Sequence, residues 1–143
     1  MRVKIKKLDK NAVIPFYGTE GSAGMDLTAT SKEVVDKGDD YGFIEYGTGL
    51  SVEIPEGYAG FIFPRSSISK TGMMLANAVG VIDSDYTGEV KLRFKYISKS
   101  IDYKVGDRIG QLIIMPYPKI EFEEVQELST TARSSGGFGS TGS

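Results

Sequence analysis

Apolar and charged residues alternate with a period of two through much of this chain, and that alternation commits it to strands. Val90, Leu92, Phe94 and Tyr96 are interleaved with Lys91, Arg93 and Lys95, and Val3 and Ile5 with Arg2, Lys4 and Lys6. Successive side chains on a strand point to opposite faces, so such a segment offers one apolar face to a core and one charged face to water. Leu50 to Ile54 and Tyr58 to Phe63 read as two further short strands split by the turn Pro55-Glu56-Gly57. Gln111 to Met115 is a continuous apolar run expected of a buried strand, and Ile120 to Leu128 a more polar one after it. Short strands punctuated by Gly, Pro and Asp predict an all-β sandwich or barrel. At most one short helix is expected, between Ile68 and Ala76, where Gly72 weakens it. No internal repeat is present.

Composition narrows the chemistry. At 143 residues and 40% hydrophobic the chain suits one domain able to bury a core without staples, taken here as residues 1–128. Seventeen basic against nineteen acidic residues leave a net charge of −2, which makes no electrostatic case for a nucleic-acid polymer as partner. The absence of Cys and His excludes disulfides, thiolate nucleophiles, imidazole bases and the usual zinc sites. Acid–base work therefore falls to carboxylate, Lys or Tyr. The opening M-R-V-K-I-K-K-L has no apolar h-region, and no run approaches the ~20 residues of a membrane span, so a cytoplasmic location is expected.

Five segments carry candidate chemistry. In Asn77 to Gly88, N-A-V-G-V-I-D-S-D-Y-T-G, the apolar Val79, Val81 and Ile82 lead into the turn Ser84 to Gly88, and the chain then returns along Val90 to Tyr96, as a hairpin would. Asp83 stands at the strand end, where a carboxylate serves as solvated turn chemistry or as a base at the mouth of a pocket. Pro64-Arg65-Ser66-Ser67 puts a guanidinium and two hydroxyls after a strand, as an oxyanion site or as a solvated edge turn. In Gly106 to Gln111 an amide, Gln111, opens an apolar run, while Asp107 and Arg108 could pair on the surface. Ala23-Gly24-Met25-Asp26-Leu27 sets a carboxylate between apolar neighbours, with a β-turn Asp as the alternative. Residues 129–143 hold five Ser, four Gly and three Thr, a composition that leaves a segment mobile; Arg133 and Phe138 within it could nevertheless form a lid over a phosphorylated ring compound. Asp83-x-Asp85-x-Thr87-Gly88 is not a calcium loop, because its twelfth position is Phe94. Neither phosphate-binding glycine signature occurs.

In order, these five segments resemble the five motifs of the homotrimeric dUTPases, from residue 23 to residue 142. Two departures stand out: Ser134 where Gly is usual, and Gly110 where Ala is common. The resemblance implies a jelly-roll-like β domain with a flexible C-terminal lid, assembled as a homotrimer with shared active sites, cleaving dUTP to dUMP and pyrophosphate with Mg²⁺. Such a reaction limits uracil in DNA and supplies dUMP for dTMP synthesis. Carried onto this chain, it makes Asp83 the base that activates water against the α-phosphorus, with Asp26 orienting the site. Arg65, Ser66, Ser67, Gln111, Lys91 and Arg133 fall to the nucleotide, with Arg65 and Gln111 also serving catalysis. The uracil and sugar would meet Asn77, Val81, Ile82 and Tyr86, with Phe138, Gly139, Ser140 and Thr141 closing over them. The implied magnesium is held through the triphosphate and water, with no direct protein ligand. A dCTP deaminase of the same fold and a dUTP-sensing regulator are the alternatives.

Overall fold

Val90, Leu92 and Phe94 do lie on the buried face of one strand while Lys91, Arg93 and Lys95 face outward. In the computed structural model, which describes residues 1–35, 42–98 and 101–137, that strand is β9 (Glu89–Tyr96). The others are β1 (Lys4–Lys7), β2 (Phe16–Tyr17), β3 (Met25–Thr28), β4 (Ser31–Val35), β5 (Phe43–Glu53), β6 (Tyr58–Phe63), β7 (Met73–Leu75), β8 (Gly80–Ile82) and β10 (Arg108–Pro116). They form two antiparallel five-stranded sheets. One runs β1-β5-β9-β7 with β4 also on β5; the other runs β2-β3-β10-β6-β8.

The core lies between the sheets and is built from the inward sets of both, including Tyr46, Leu92 and Phe94 from one and Leu27, Ile62, Ile109 and Leu112 from the other. Each such side chain contributes about 1.5–3 kcal/mol by leaving water. Tyr46, Phe94 and Tyr103 meet edge to face, with ring centroids 5.6–6.2 Å apart. The Tyr46 hydroxyl, buried with its ring, donates to the Tyr103 carbonyl at 2.9 Å. Thr48, wholly buried, donates in the same way to Val90 O at 2.7 Å. These bonds let two polar side chains sit in an apolar layer.

Two expectations need correction and a third needs placing. The segment Asn77 to Tyr96 is not a hairpin: β8 pairs with β6, whereas β9 pairs with β5 and β7, so the turn between them carries the chain from one sheet to the other. The one short helix allowed near Ile68 to Ala76 is a 3-10 turn that begins two residues earlier and ends at Lys70. This turn over Ser66–Lys70 is followed by β7, because Met73 and Leu75 are buried on alternate positions and pair with β9. Residues 120–128 are not a strand; they run as exposed chain, Phe122 at 92% and Leu128 at 87% exposure, and pair with no strand among the described residues. Strands β2, β3 and β4 and the first half of β5 escaped the sequence reading; in β5, Gly47, Thr48 and Gly49 interrupt the apolar pattern.

Candidate active site

Two clefts hold the candidate residues, and sheet register decides which residue lies in which. Asp26 of β3 stands opposite Gln111 of β10, and Gln111 stands opposite Phe63 of β6, so the three form one row across three strands. Arg65 leaves the end of that row. Its Nε donates to Asp26 Oδ1 at 2.7 Å, and Arg108 Nη1 donates to Asp26 Oδ2 at 2.9 Å. One carboxylate, 8% exposed, thus bridges two guanidiniums and leaves the cluster one positive charge in excess. Both arginines line a cleft of about 460 Å³ together with Ser66, Gln111 and Gly24.

Asp26 is therefore a strand residue rather than a turn residue. Arg108 pairs with it and not with Asp107, whose Oδ2 instead accepts the Lys104 backbone N–H at 2.7 Å. Gln111 donates through Nε2 to Pro64 O at 3.0 Å, which ties its amide to the Arg65 turn. Gly24 makes room for that amide, because a Cβ there would come within 3.0 Å of Gln111 Cδ and overlap the amide oxygen. Of the two hydroxyls, exposed Ser66 lines the cleft, while Ser67 is half-buried and accepts from Arg65 Nη1 at 3.4 Å. Arg108 and Gly24 were missed as site residues; their only signal was adjacency to Gln111 and Asp26 in the chain.

The second cleft, of about 540 Å³, is lined by Asn77, Val81, Ile82, Asp83 and Tyr86 on one side and by Glu45, Lys91 and Arg93 on the other. Ile82 is buried and anchors β8, whereas Val81 is 59% exposed and Asp83 stands exposed just beyond the strand. Ala78 adopts a left-handed φ of 59°, and Val79 N donates to Asn77 O at 2.6 Å, closing a strained γ-turn at the cleft's edge. Tyr86 folds back to donate to Glu89 O at 2.9 Å, over Gly88, where a Cβ would lie 2.6 Å from the Tyr86 ring and hydroxyl. Lys91 and Arg93 both bind Glu45, at 2.7 Å each, through different carboxylate oxygens. The Lys91 hydrogen bond, with Arg93 adding to it against burial, holds the Glu45 carboxyl below its usual range.

The clefts lie at opposite ends of β6. Ile82 pairs with Gly60, which puts Asp83 beside the start of that strand, and Arg65 follows its end; at ~3.3 Å per residue the two are about 20 Å apart along it. Arg133 belongs to neither cleft and donates to Gly136 O at 2.9 Å, with Ser134 beside it at a left-handed φ of 44°, a conformation glycine adopts without strain. Phe138, Gly139, Ser140 and Thr141 lie outside the described residues. Among the described residues no three His, Cys, Asp or Glu side chains converge as a metal cage, and no helix is long and apolar enough to cross a membrane.

A family model described as dUTPase matches residues 10–142. The chain is 42% identical over 144 residues to a deoxyuridine 5'-triphosphate nucleotidohydrolase of Hydrogenobaculum, covering 99% of each. It is 46% identical over 145 residues to that of Finegoldia magna, covering 98% of this chain and 99% of the relative. Among solved structures, a Staphylococcus bacteriophage 80alpha dUTPase with dUPNHPP superposes with TM-score 0.82 at 28% identity, over 99% of each chain. A phage phi11 dUTPase, at 24% identity and TM-score 0.74 over 89% of this chain and 98% of that one, coordinates a structural Mg(II) ion.

Proposed function

The chain belongs to the dUTPase family, and from that membership we propose that it hydrolyses dUTP to dUMP and pyrophosphate at sites completed between three copies of itself. The observation that carries the reading is the pairing of two unlike clefts on one chain: a cationic one at Asp26, Arg65, Arg108 and Gln111, and a carboxylate-bearing one at Asp83 and Tyr86. A general base works within about 3 Å of the proton it takes, directly or through one water. Separation by about 20 Å along β6 keeps Asp83 from serving the phosphates that Arg65 of the same chain would bind. A second copy resolves this, its cationic cleft facing the first copy's Asp83.

In that arrangement Asp83 holds water in line with the α-phosphorus and takes its proton as the O–P bond forms and the pyrophosphate leaves. Arg65, Ser66 and Gln111 hold the phosphates, with Asp26 fixing the Arg65 guanidinium. Preset charge of this kind is often the largest single contribution to such a reaction. Asn77 and the backbone near Val81 and Ile82 pair with the uracil edge, so cytosine would leave groups unpaired, and the thymine methyl has no room. Tyr86, held in place by Glu89 O, packs on the sugar where a 2′-hydroxyl would project. Lys91 reaches the nucleotide only by sharing its charge with Glu45.

The cleft around Asp26 is cationic, with two guanidiniums on one carboxylate, a lining that would take Mg²⁺ together with the triphosphate and its waters. Bound there, the ion supplies neutralisation of phosphate charge. Residues 1–128 form the folding unit and 129–143 a lid, with Arg133 on the phosphates and Phe138 over the base. Removing dUTP in this way limits uracil incorporation into DNA and provides dUMP for dTMP synthesis. Measuring pyrophosphate release from dUTP, dCTP, dTTP and UTP tests the reading. Strong preference for dUTP is expected; equal turnover of dTTP, or ammonia release from dCTP, would overturn it.

A further inference from the structure

Regular alternation counted back from Gln111 would turn Arg108 into the core. Gln111 stands opposite Asp26 on the outer face of its sheet, so unbroken pairing sets Ile109 opposite Thr28 on that face and points Arg108 inward. The structure has the reverse. Arg108 is the residue paired with Thr28, while Gly110 keeps its place opposite Leu27, so β10 carries one residue more than β3 between the two pairs. That extra residue is Ile109, wholly buried in the core, and Arg108 is left on the outer face with its side chain about half exposed. Pairing continues on the far side, where Ala29 N donates to Asp107 O at 3.0 Å and Gly106 N to Ala29 O at 2.8 Å; the irregularity is a β-bulge inside a continuous ladder, not a frayed end.

A bulge re-aims a side chain, and what this one aims is a charge. Arg108 Nη1 donates to Asp26 Oδ2 at 2.9 Å, while Oδ1 of the same carboxylate accepts Arg65 Nε at 2.7 Å. With Arg65 alone, Asp26 would cancel the guanidinium beside it, and this cluster would present no net charge to a polyanion. Arg108 restores an excess of one positive charge. By holding Oδ2 it also fixes the carboxylate that in turn holds Arg65.

We propose that Arg108 is a positioning residue of the cationic cleft: the β10 bulge turns it outward to offset and orient Asp26, so that the charge of Arg65 is available to the nucleotide's phosphates. This role rests on the dUTPase reading of that cleft, and it differs from that of the phosphate ligands Arg65, Ser66 and Gln111. A residue that acts by offsetting Asp26 is dispensable once the Asp26 charge is removed as well. A residue that itself holds phosphate is not.

The test compares Arg108→Gln, Arg108→Lys and the double variant Asp26→Asn/Arg108→Gln by calorimetric binding of a nonhydrolysable imido analogue of dUTP and of dUMP, with the melting of each variant measured without ligand. Arg108→Gln should bind the triphosphate analogue about tenfold or more weakly, the scale of a hydrogen bond to a charged group, but dUMP with less than about a threefold loss, because a missing charge weighs most on the ligand with most charge. In the double variant the cluster again carries one positive charge and its two amides can pair, so most of the affinity for the analogue should return. Arg108→Lys should keep most of it too, since the contact to Oδ2 is a single hydrogen bond that an ammonium can make. A double variant as weak as Arg108→Gln overturns the proposal and makes Arg108 a phosphate ligand in its own right. Unsubstituted affinity in Arg108→Gln overturns it as well, as does an equal loss for dUMP and the analogue. Should Arg108→Gln fail to fold, the other two variants decide: affinity near that of the unsubstituted protein in both supports the role, and a tenfold loss in either overturns it. Failure of the unsubstituted protein to bind the analogue or to release pyrophosphate from dUTP would instead sink the dUTPase reading, and this role with it.

Discussion

Asp83 and Asp26 show how differently two carboxylates on one chain can be employed. Asp26 is buried and bound by two guanidiniums, one on each oxygen, so its place is to orient Arg65 and Arg108 and its charge is already countered by theirs. Asp83 is exposed at a strand end, which leaves it able to hold a water. Asp83→Asn keeps the size and removes the base; kcat should fall by ~10² or more. Affinity for a nonhydrolysable dUTP analogue should stay within about tenfold, since no contact to the nucleotide is lost. Abolished binding by calorimetry would make Asp83 a ligand-holding residue instead.

Strands β5 and β9 are joined at the second cleft by charge as well as by backbone. Glu45 lies directly opposite Arg93 and bonds both Arg93 and Lys91, in contrast to the exposed Lys4–Glu53 pair between β1 and β5, which contributes little. The Glu45 pKa in the folded chain lies below its ordinary 4.5. Its stabilisation is accordingly complete above about 4.5 and lost as pH falls through the lower folded value. Glu45→Gln should melt below the unsubstituted protein at pH 7, with the difference shrinking as the solution is acidified through that window. A melting difference that stays constant from pH 7 to pH 3 would show the ion pairs to be without consequence for stability.

At the scale of the molecule, the proposed reading gives one chain both halves of a site, about 20 Å apart along β6. Asp83→Asn and Arg65→Ala proteins should each be nearly inactive. If each site takes Asp83 from one copy and Arg65 from another, refolding the two together in equal amounts puts three quarters of trimers in mixed form, each with one intact site. About a quarter of full activity should then return. Background activity in mixtures that native mass spectrometry shows to be mixed trimers would place base and guanidinium in the same copy. The exposed run Ile120 to Leu128, with its apolar Phe122 and Leu128 in water, is a further sign that the isolated chain leaves surface for a neighbour to cover.

The sequence by itself determined the all-β class, because period-two alternation in β9 and the apolar run of β10 admit few other structures. It also determined the residue types of the site, because a chain without His or Cys has little else for acid–base work. Pairing was decided only in three dimensions. Nothing local tells β8 that its partner is β6 and not β9, since both lie within reach of the same turn and a strand's hydrogen-bonding edges are chemically alike. Arg108 was legible as a charge beside Asp107, yet its partner is Asp26, distant in the chain and brought near by the register of β10 on β3. Ile120 to Leu128 has the pattern of a strand but pairs with no strand among the described residues, so propensity alone did not place it in a sheet. Segment chemistry follows from side chains in order along the chain; the meeting of Asp26, Arg65 and Gln111, and the distance that keeps Asp83 from them, follow from strand order and register, which only the packed sheets define.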